Sequence, residues 1–271
     1  MEHSCSPQMN NAALAEMGLD WCYLAFRVES EHLEEVIKAA AALGLRGLNV
    51  TIPHKQTIVK YLDEITPDAQ FVGAVNTIQV APGRLVGWNT DVERFLRNLQ
   101  EEGVDVKGAR VLILGAGGAA KAVGIAVLKA EAERIWVANR TVPAAHRLAD
   151  FLNERAGREL ATALPLTVEA LKTLAGGPNV VINCSSLGMA PNVREEPPLP
   201  WQELTGLTLA VDVVYNPPFT SFLRSAAQKG LKTINGVGML VHQGAMALEI
   251  WTGRKPPLDV MRRALLEALQ P

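Results

Sequence analysis

A chain of 271 residues with 48% hydrophobic residues has the length for one large or two modest domains and the material for a proper core. Its formal net charge of −2 leaves no electrostatic footprint for nucleic acid. The three cysteines, Cys5, Cys22 and Cys184, lack metal-ligand spacing and read as reduced cytoplasmic thiols, which argues against a disulfide framework and a structural metal.

Met1-Glu2-His3-Ser4 has neither a basic region nor an apolar core, so no secretory signal is expected. Arg46 and Lys121 interrupt the best apolar runs, so no membrane span is expected either. In chain order, Pro7 to Met17 reads as a helix, with Ser6 as N-cap, Pro7 at the first helical position and Gly18 as terminator. Tyr23 to Val28 reads as a strand. Leu33 to Leu43 is a helix with Leu33, Val36, Ile37 and Ala40 at helical spacing, stopped by Gly44. Leu48 to Ile52 is a short strand, and Thr57 to Leu62 lies in another helix. Ala74 to Val80 and Leu85 to Trp88 form a hairpin around Pro82-Gly83. Thr90-Asp91-Val92-Glu93 is a capping box that opens a helix to about Glu102, and Gly103 ends it.

The next stretch carries the most information. The apolar run Val111-Leu112-Ile113-Leu114 leads into Gly115-Ala116-Gly117-Gly118, then a helical run, then a second strand, Ile135 to Ala138. That order is one βαβ unit with glycines at its first turn. Gly115 suits a tight turn, Gly117 lets the backbone approach a pyrophosphate, and the helix start aims free N–H groups at an anion. Ala120 stands at the third glycine position, where close helix–sheet packing tolerates it. An NAD site places a carboxylate at the end of the second strand. This chain has Asn139-Arg140-Thr141 there, and the forked cation of Arg140 suits a 2′-phosphate, which favours NADP. His146 and Arg147 follow a turn or two later. Val180 to Asn183 and Leu209 to Val214 are further strands, and Ser221 to Gln228 is a helix. Leu240 to Trp251 and Leu258 to Leu269 are closing helices. The fold class is therefore α/β with two domains. A first domain over 1–104 is expected to carry the substrate, and 105–236 forms a Rossmann-type dinucleotide domain.

Single residues carry less. Pro53 would place Lys55 in the first turn of a helix, where a cation opposes the dipole and is drawn toward a lower pKa, useful in a proton donor. Most lysines are simply solvated, so spacing alone leaves Lys55 open. Asp91 is favourable at a helix start without any catalytic role. Ser4 and Ser6 read equally well as turn and cap residues, and Asn76 and Thr77 as ladder residues. Gln243 is a polar residue in an apolar helix start, and His242 reads as a surface or satisfied histidine.

Together these segments resemble the shikimate dehydrogenase family along nearly the whole chain. The resemblance is carried by Ser4-Cys5-Ser6-Pro7, Asn49 to Lys55, Gly73-Ala74-Val75-Asn76-Thr77, Asn89-Thr90-Asp91, Gly115 to Ala122, Asn139-Arg140-Thr141, Asp212 to Pro217 and Gly238 to Ala245, in that order. It implies reversible interconversion of 3-dehydroshikimate and shikimate with NADPH/NADP, on the chorismate route to aromatic amino acids, with no metal. It also implies two α/β domains with a cleft between them, the last helices, from about residue 237, returning to the substrate domain. Lys55 and Asp91 become the catalytic pair. Ser4 and Ser6 would take the substrate carboxylate, with Tyr215 near that end, while Thr51, Asn76 and Gln243 would bind ring hydroxyls. The cofactor would lie on Gly115, Ala116, Gly117, Gly118 and Ala119, then on Asn139, Arg140 and Thr141. Ser185, Leu187 and Met189 would flank it, with Val214 and Gly236 near the nicotinamide. A cytoplasmic monomer or homodimer is expected.

There are departures from the family pattern. No counterpart of the family's usual first strand and its glycine turn precedes Ser4, which predicts unpaired backbone in the substrate domain. Asn10 stands in place of a usual His. Ala144 stands where a second basic residue is frequent, so 2′-phosphate recognition rests on Arg140. Ser6 in place of Thr favours shikimate over quinate. Beside this reading stand a dual-specificity quinate/shikimate dehydrogenase using NAD or NADP, and a catalytically silent NADPH-binding protein. The Lys55–Asp91 pair argues against the silent protein. A metal-dependent alcohol dehydrogenase lacks its ligand cluster.

Overall fold

A computed structural model describes residues 4–51 and 53–270, and the chain divides into two compact units, 1–94 with 241–271 and 95–240. The first unit begins with helix α1 (Ser6–Glu16) and, after a single 3₁₀ turn, helix α2 (Leu33–Ala42). Strand β1 (Gly47–Asn49) follows, then a 3₁₀ helix over Thr57–Tyr61, strand β2 (Glu64–Ile65) and helix α3 (Pro67–Val72). Strands β3 (Thr77–Ala81) and β4 (Arg84–Trp88) form the expected hairpin, turned at Pro82-Gly83 where Gly83 takes φ +74°. Helix α4 (Asp91–Glu101) opens at the residue after Thr90. The sheet order is β1-β3-β4-β2, with β2 parallel to β4 and the other pairs antiparallel. Its core joins Leu33, Ile37, Ile58, Ala69, Val75 and Ile78.

Three local expectations are corrected in this unit. Tyr23 to Val28 is not a strand. Leu24 and Phe26 are each 60% exposed, and the segment borders a groove of about 390 Å³ with Leu48 and Val50 on the other wall. The segment forms no ladder with the edge strand β1 among the described residues, so its strand propensity goes unused. Among the described residues no strand precedes β1. The short strand stops at Asn49, not Ile52, and Ile52 lies outside the described residues. At the start of α1 the cap is Cys5 without a side-chain bond, and the Ser6 amide donates to Ser4 Oγ at 3.4 Å.

The second unit contains strand β5 (Arg110–Leu114), helix α5 (Gly118–Lys129), strand β6 (Arg134–Asn139) and helix α6 (Val142–Ala156). Strand β7 (Ala161–Pro165), helix α7 (Val168–Lys172), strands β8 (Val180–Asn183) and β9 (Leu209–Asp212), helix α8 (Ser221–Gln228) and strand β10 (Lys232–Ile234) complete it. All six strands are parallel in the order β10-β9-β8-β5-β6-β7. From β5 the chain runs outward through β6 and β7, then returns to the other side of β5 at β8. That reversal is the topological switch point, outside whose strand C-termini open α/β sheets bind their ligands. Strands β5, β8 and β9 are almost wholly buried, as parallel strands covered on both faces are. Leu112, Leu114, Val181, Ala210 and Phe222 lie in one continuous core.

Helices α9 (Gly236–Thr252) and α10 (Leu258–Ala268) close the chain. From Val241 onward they belong with the first unit, where α10 packs on α1. Trp251 of α9 donates from Nε1 to the Ile78 carbonyl at 2.9 Å and stacks on Tyr23. Trp251→Phe is expected to lower stability by about 1–2 kcal/mol, because it leaves a sheet carbonyl unpaired. The denaturant midpoint of the variant, at unchanged slope, checks this. No helix of the described residues is long and apolar enough to cross a membrane.

Candidate active site

In the first unit a polar network converges on Asp91. Lys55 Nζ donates to Asp91 Oδ2 at 2.7 Å, with the lysine side chain 24% exposed and the carboxylate 7%. Asn76 Nδ2 donates to Asp91 Oδ1 at 3.0 Å, and Arg94 Nη2 reaches the same oxygen at 2.8 Å. The Asp91 amide donates to Asn89 Oδ1 at 3.0 Å, while Asn89 Nδ2 is tied to the Ala74 carbonyl. Asn76 in turn accepts the Thr90 amide at 2.9 Å and donates to the Thr90 hydroxyl. Burial pushes the Asp91 carboxyl upward, but the charges of Arg94 and Lys55 and the bonds from Lys55 and Asn76 outweigh it. The carboxyl is held below its ordinary value and stays an anion.

The setting of Lys55 differs from the expected one. Residues 53–56 form a turn, and the 3₁₀ helix begins only at Thr57, so no helix dipole acts on Lys55. The turn is instead fixed by the Val75 amide, which donates to the Lys55 carbonyl at 2.8 Å, and by His54, whose amide donates to the Thr51 carbonyl. Pro53 mimics a helix start because its fixed φ suits a tight turn equally well.

Two more contributors escape notice in the sequence. Arg94 lies one helical turn after Asp91, and the i, i+3 spacing is a signal that points to it. Asn49 accepts the Tyr23 hydroxyl at 3.0 Å and donates to Thr77 Oγ1 at 3.0 Å, linking the Tyr23 ring to the Asn76 cluster. Burial pushes the Tyr23 phenol up to about 12, so it remains a donor. Of the other expected residues, Ser4 and Ser6 sit half-buried at the head of α1. Thr51 is exposed before the lysine turn, and Gln243 is half-buried on α9.

The second unit gathers the expected cofactor residues at the switch point. Gly115 ends β5 at φ +109°, and a Cβ there would lie 3.1 Å from the Cys184 and Ser185 backbone. Only glycine fits the turn where β5 and β8 end side by side. At Gly117 and Gly118 the situation is opposite: an added Cβ would meet no protein atom within 4 Å. The space above the α5 N-terminus is therefore left open by the protein, and the first-turn N–H groups of α5 face it. Ala116 and Ala119 border it, half-buried. Asn139 Nδ2 donates to the Thr141 carbonyl at 3.0 Å and holds the turn from β6 into α6. Arg140 and Thr141 are exposed there, their side chains uncommitted to any described residue. An open glycine cradle at a helix start, followed by a free guanidinium at the next strand end, fits a dinucleotide with a 2′-phosphate.

Ser185, Leu187 and Met189 occupy the loop after β8, with Met189 44% exposed. Strand β9 ends at Asp212, two residues sooner than expected, because the Asp212 carboxylate takes the Val214 amide and turns the chain out of the sheet. Tyr215 lies in that same loop. Gly236 begins α9 so close beneath it that an added Cβ would stand 2.3 Å from the Val213 carbonyl oxygen.

A parallel sheet of this order, with its glycine turn at the switch point, and a half-buried lysine paired with a buried carboxylate in the same chain define a dinucleotide-binding protein of oxidoreductase type. A relative from Methanopyrus kandleri, called shikimate dehydrogenase (NADP(+)), is 46% identical over 272 residues that cover 100% of this chain and 93% of its own length. The chain belongs to the shikimate dehydrogenase family. Three family models agree: the shikimate dehydrogenase substrate binding domain over 1–78, shikimate / quinate 5-dehydrogenase over 97–198, and the shikimate 5'-dehydrogenase C-terminal domain over 236–266. A solved shikimate dehydrogenase in complex with NADP+ superposes with a TM-score of 0.92 at 42% identity, over 100% of this chain and 93% of the other. The Thermus thermophilus enzyme, solved with NADP(H) and shikimate, gives 0.86 at 37% identity, over 98% of this chain and 95% of the other.

Proposed function

We propose that this protein is an NADP-dependent shikimate dehydrogenase that reversibly reduces 3-dehydroshikimate to shikimate in aromatic amino acid biosynthesis. The observation that carries this reading is the Lys55–Asp91 ion pair at 2.7 Å, its carboxylate buried and held by Asn76 and Arg94. When bound, NADPH supplies the hydride. Lys55 keeps two N–H donors beyond the one given to Asp91, enough to hold a substrate carbonyl oxygen and deliver a proton as negative charge develops on it. In the oxidative direction the same nitrogen receives the hydroxyl proton. Asp91 Oδ1 already accepts two bonds, so Oδ2 is the atom with capacity left for a substrate hydroxyl.

Around this pair, Ser4 and Ser6 offer hydroxyl donors to the substrate carboxylate, and Thr51 and Gln243 address ring hydroxyls. Asn76 is spent on Asp91 and Thr90 and acts on the substrate chiefly through the carboxylate it aims. A site built from directed hydrogen bonds discriminates against analogues that lack a hydroxyl, because buried partners would be left unpaired. The cofactor is assigned to the glycine turn and to Arg140 and Thr141. The three free thiols are in keeping with a reducing, cytoplasmic setting.

The test is nicotinamide reduction with shikimate, with quinate and without substrate, each with NADP+ and with NAD+. Turnover confined to shikimate and NADP+ supports the reading. Turnover with quinate and NAD+ moves it to the dual-specificity enzyme, and cofactor binding without turnover to the silent protein. Arg140→Ser is expected to lower the NADP+ over NAD+ preference roughly tenfold or more, the worth of one charge-assisted contact. The ratio of kcat/KM values for the two cofactors checks it.

A further inference from the structure

Three side chains of the second unit are fully buried and polar, and none belongs to the proposed chemistry: Asn183 at the end of β8, Asp212 at the end of β9, and Thr220 before α8. Asp212 Oδ1 accepts from Asn183 Nδ2 at 3.1 Å and from the Val214 amide at 3.0 Å. Its Oδ2 accepts the Thr220 hydroxyl at 2.6 Å. Asn183 Oδ1 accepts both the amide of Ser185, at 3.1 Å, and its hydroxyl, at 2.6 Å. Asn183 Nδ2 also reaches the Leu187 carbonyl at 3.3 Å, and the Leu187 amide donates to Ser185 Oγ at 3.3 Å.

The two loops that leave the C-terminal ends of β8 and β9 therefore hang on one buried pair of side chains. Those loops present Ser185, Leu187 and Val214, three of the residues assigned to the cofactor. Val214 is tied on one side to Asp212 and on the other accepts the Gly236 amide at 3.1 Å. The strand ladder does not require this arrangement, and the cap of α8 needs only the Thr220 oxygen, which accepts the Leu223 amide at 3.3 Å. An apolar pair would pack between β8 and β9 as well, and would leave the loops to choose their own course. A buried carboxylate that accepts three bonds fixes that course.

We infer that Asn183 and Asp212 are positioning residues for cofactor binding, which set the two loops on the nicotinamide side of the dinucleotide site without touching the ligand. The inference rests on the NADP reading above. It separates from the conventional substrate contacts because it acts within the second unit, through the backbone of the two loops and the Ser185 hydroxyl.

The experiment compares Asp212→Ala, Asp212→Asn and Thr220→Val in the full chain, with NADP+ affinity from calorimetric titration and KM and kcat from shikimate oxidation. Asp212→Ala is expected to weaken NADP+ binding and raise its KM roughly ten- to a hundredfold, the scale of a displacement of about an ångström, with KM for shikimate within about twofold. Asp212→Asn should restore binding to within about threefold. Its Oδ1 still accepts from Asn183 and Val214, while its amide donates to Thr220, whose hydroxyl can accept. Thr220→Val removes one donor to Asp212, together with the hydroxyl that caps the Leu223 amide at the start of α8, and should fall between them. It carries the comparison if the alanine variant does not fold. A folded Asp212→Ala or Thr220→Val protein that binds NADP+ as the parent does overturns the inference, as does failure of Asp212→Asn to rescue. Absence of shikimate turnover in the parent protein would instead overturn the substrate reading, and the NADP+ titrations would still decide the role of the pair.

Discussion

Lys55→Ala is expected to lower kcat for shikimate oxidation by roughly 10²–10⁴-fold while NADP+ affinity stays unchanged. The size follows from the loss of a positioned proton donor and acceptor, the one ammonium hydrogen-bonded to Asp91 among the described residues. The fold should survive the change. Asp91 keeps Asn76 and Arg94 on Oδ1, and the turn at residues 53–56 is held by backbone bonds that alanine retains. Asp91→Asn should produce a comparable loss by another route. The amide can still accept from Asn76 and Arg94 on one atom, but its NH₂ faces the lysine ammonium, donor against donor, and Lys55 swings out of line. Because both changes disable one unit, the double variant should be little worse than either single one. Steady-state rates for the three variants and a direct NADP+ titration check this. A Lys55→Ala protein within about twofold of the parent kcat would remove Lys55 from the chemistry.

Local patterns make the second unit more legible than the first. The run Val111 to Leu114, the glycines after it and the strand ending at Ala138 lie within one βαβ unit, and each signal is satisfied by near neighbours in sequence. The hairpin turned at Pro82-Gly83 is local in the same sense. Strands β7 and β10 carry no such pattern. Ala161–Pro165 and Lys232–Ile234 are short and mixed, and they are strands because the parallel sheet offers them an edge. The reverse holds for Tyr23 to Val28, which has strand propensity and yet pairs with no strand of the described residues. In the site, Lys55 is legible through the family resemblance and not through a helix dipole, because Pro53 opens a turn. Arg94 is within reach by its spacing from Asp91. Asn89 and Asn183 are not, because their roles depend on which backbone amides the fold brings to them, and no periodicity encodes that.

The contribution of Asp212 to stability should fall by about 2 kcal/mol as pH rises from about 4.5 to about 7.5, and Asp212→Asn should remove that fall. Burial pushes the Asp212 carboxyl from 3.8 to about 6, against the opposing bonds from Thr220, Val214 and Asn183. Between those two values the native state holds a proton that the unfolded chain has released. Proton uptake then favours the native state, and this advantage is lost as pH climbs through the folded value. The full gap between the folded and unfolded values corresponds to about 3 kcal/mol, at about 1.4 kcal/mol for each pH unit, and about two-thirds of it falls within this window. Neighbouring groups do not mask it. The Cys184 thiol is raised by its own burial and by Asp212, so it stays neutral across the window. Asp91 is held below its ordinary value, so its contribution is already complete at the acid end and is lost only at lower pH. The measurement is the difference in unfolding free energy between parent and Asp212→Asn across the window, from denaturant titrations. Whatever the fixed offset between the two proteins, the difference should move toward the variant as pH rises and level off above about 7. A difference that stays constant with pH would mean that Asp212 is ionised throughout, with its three hydrogen bonds outweighing its burial.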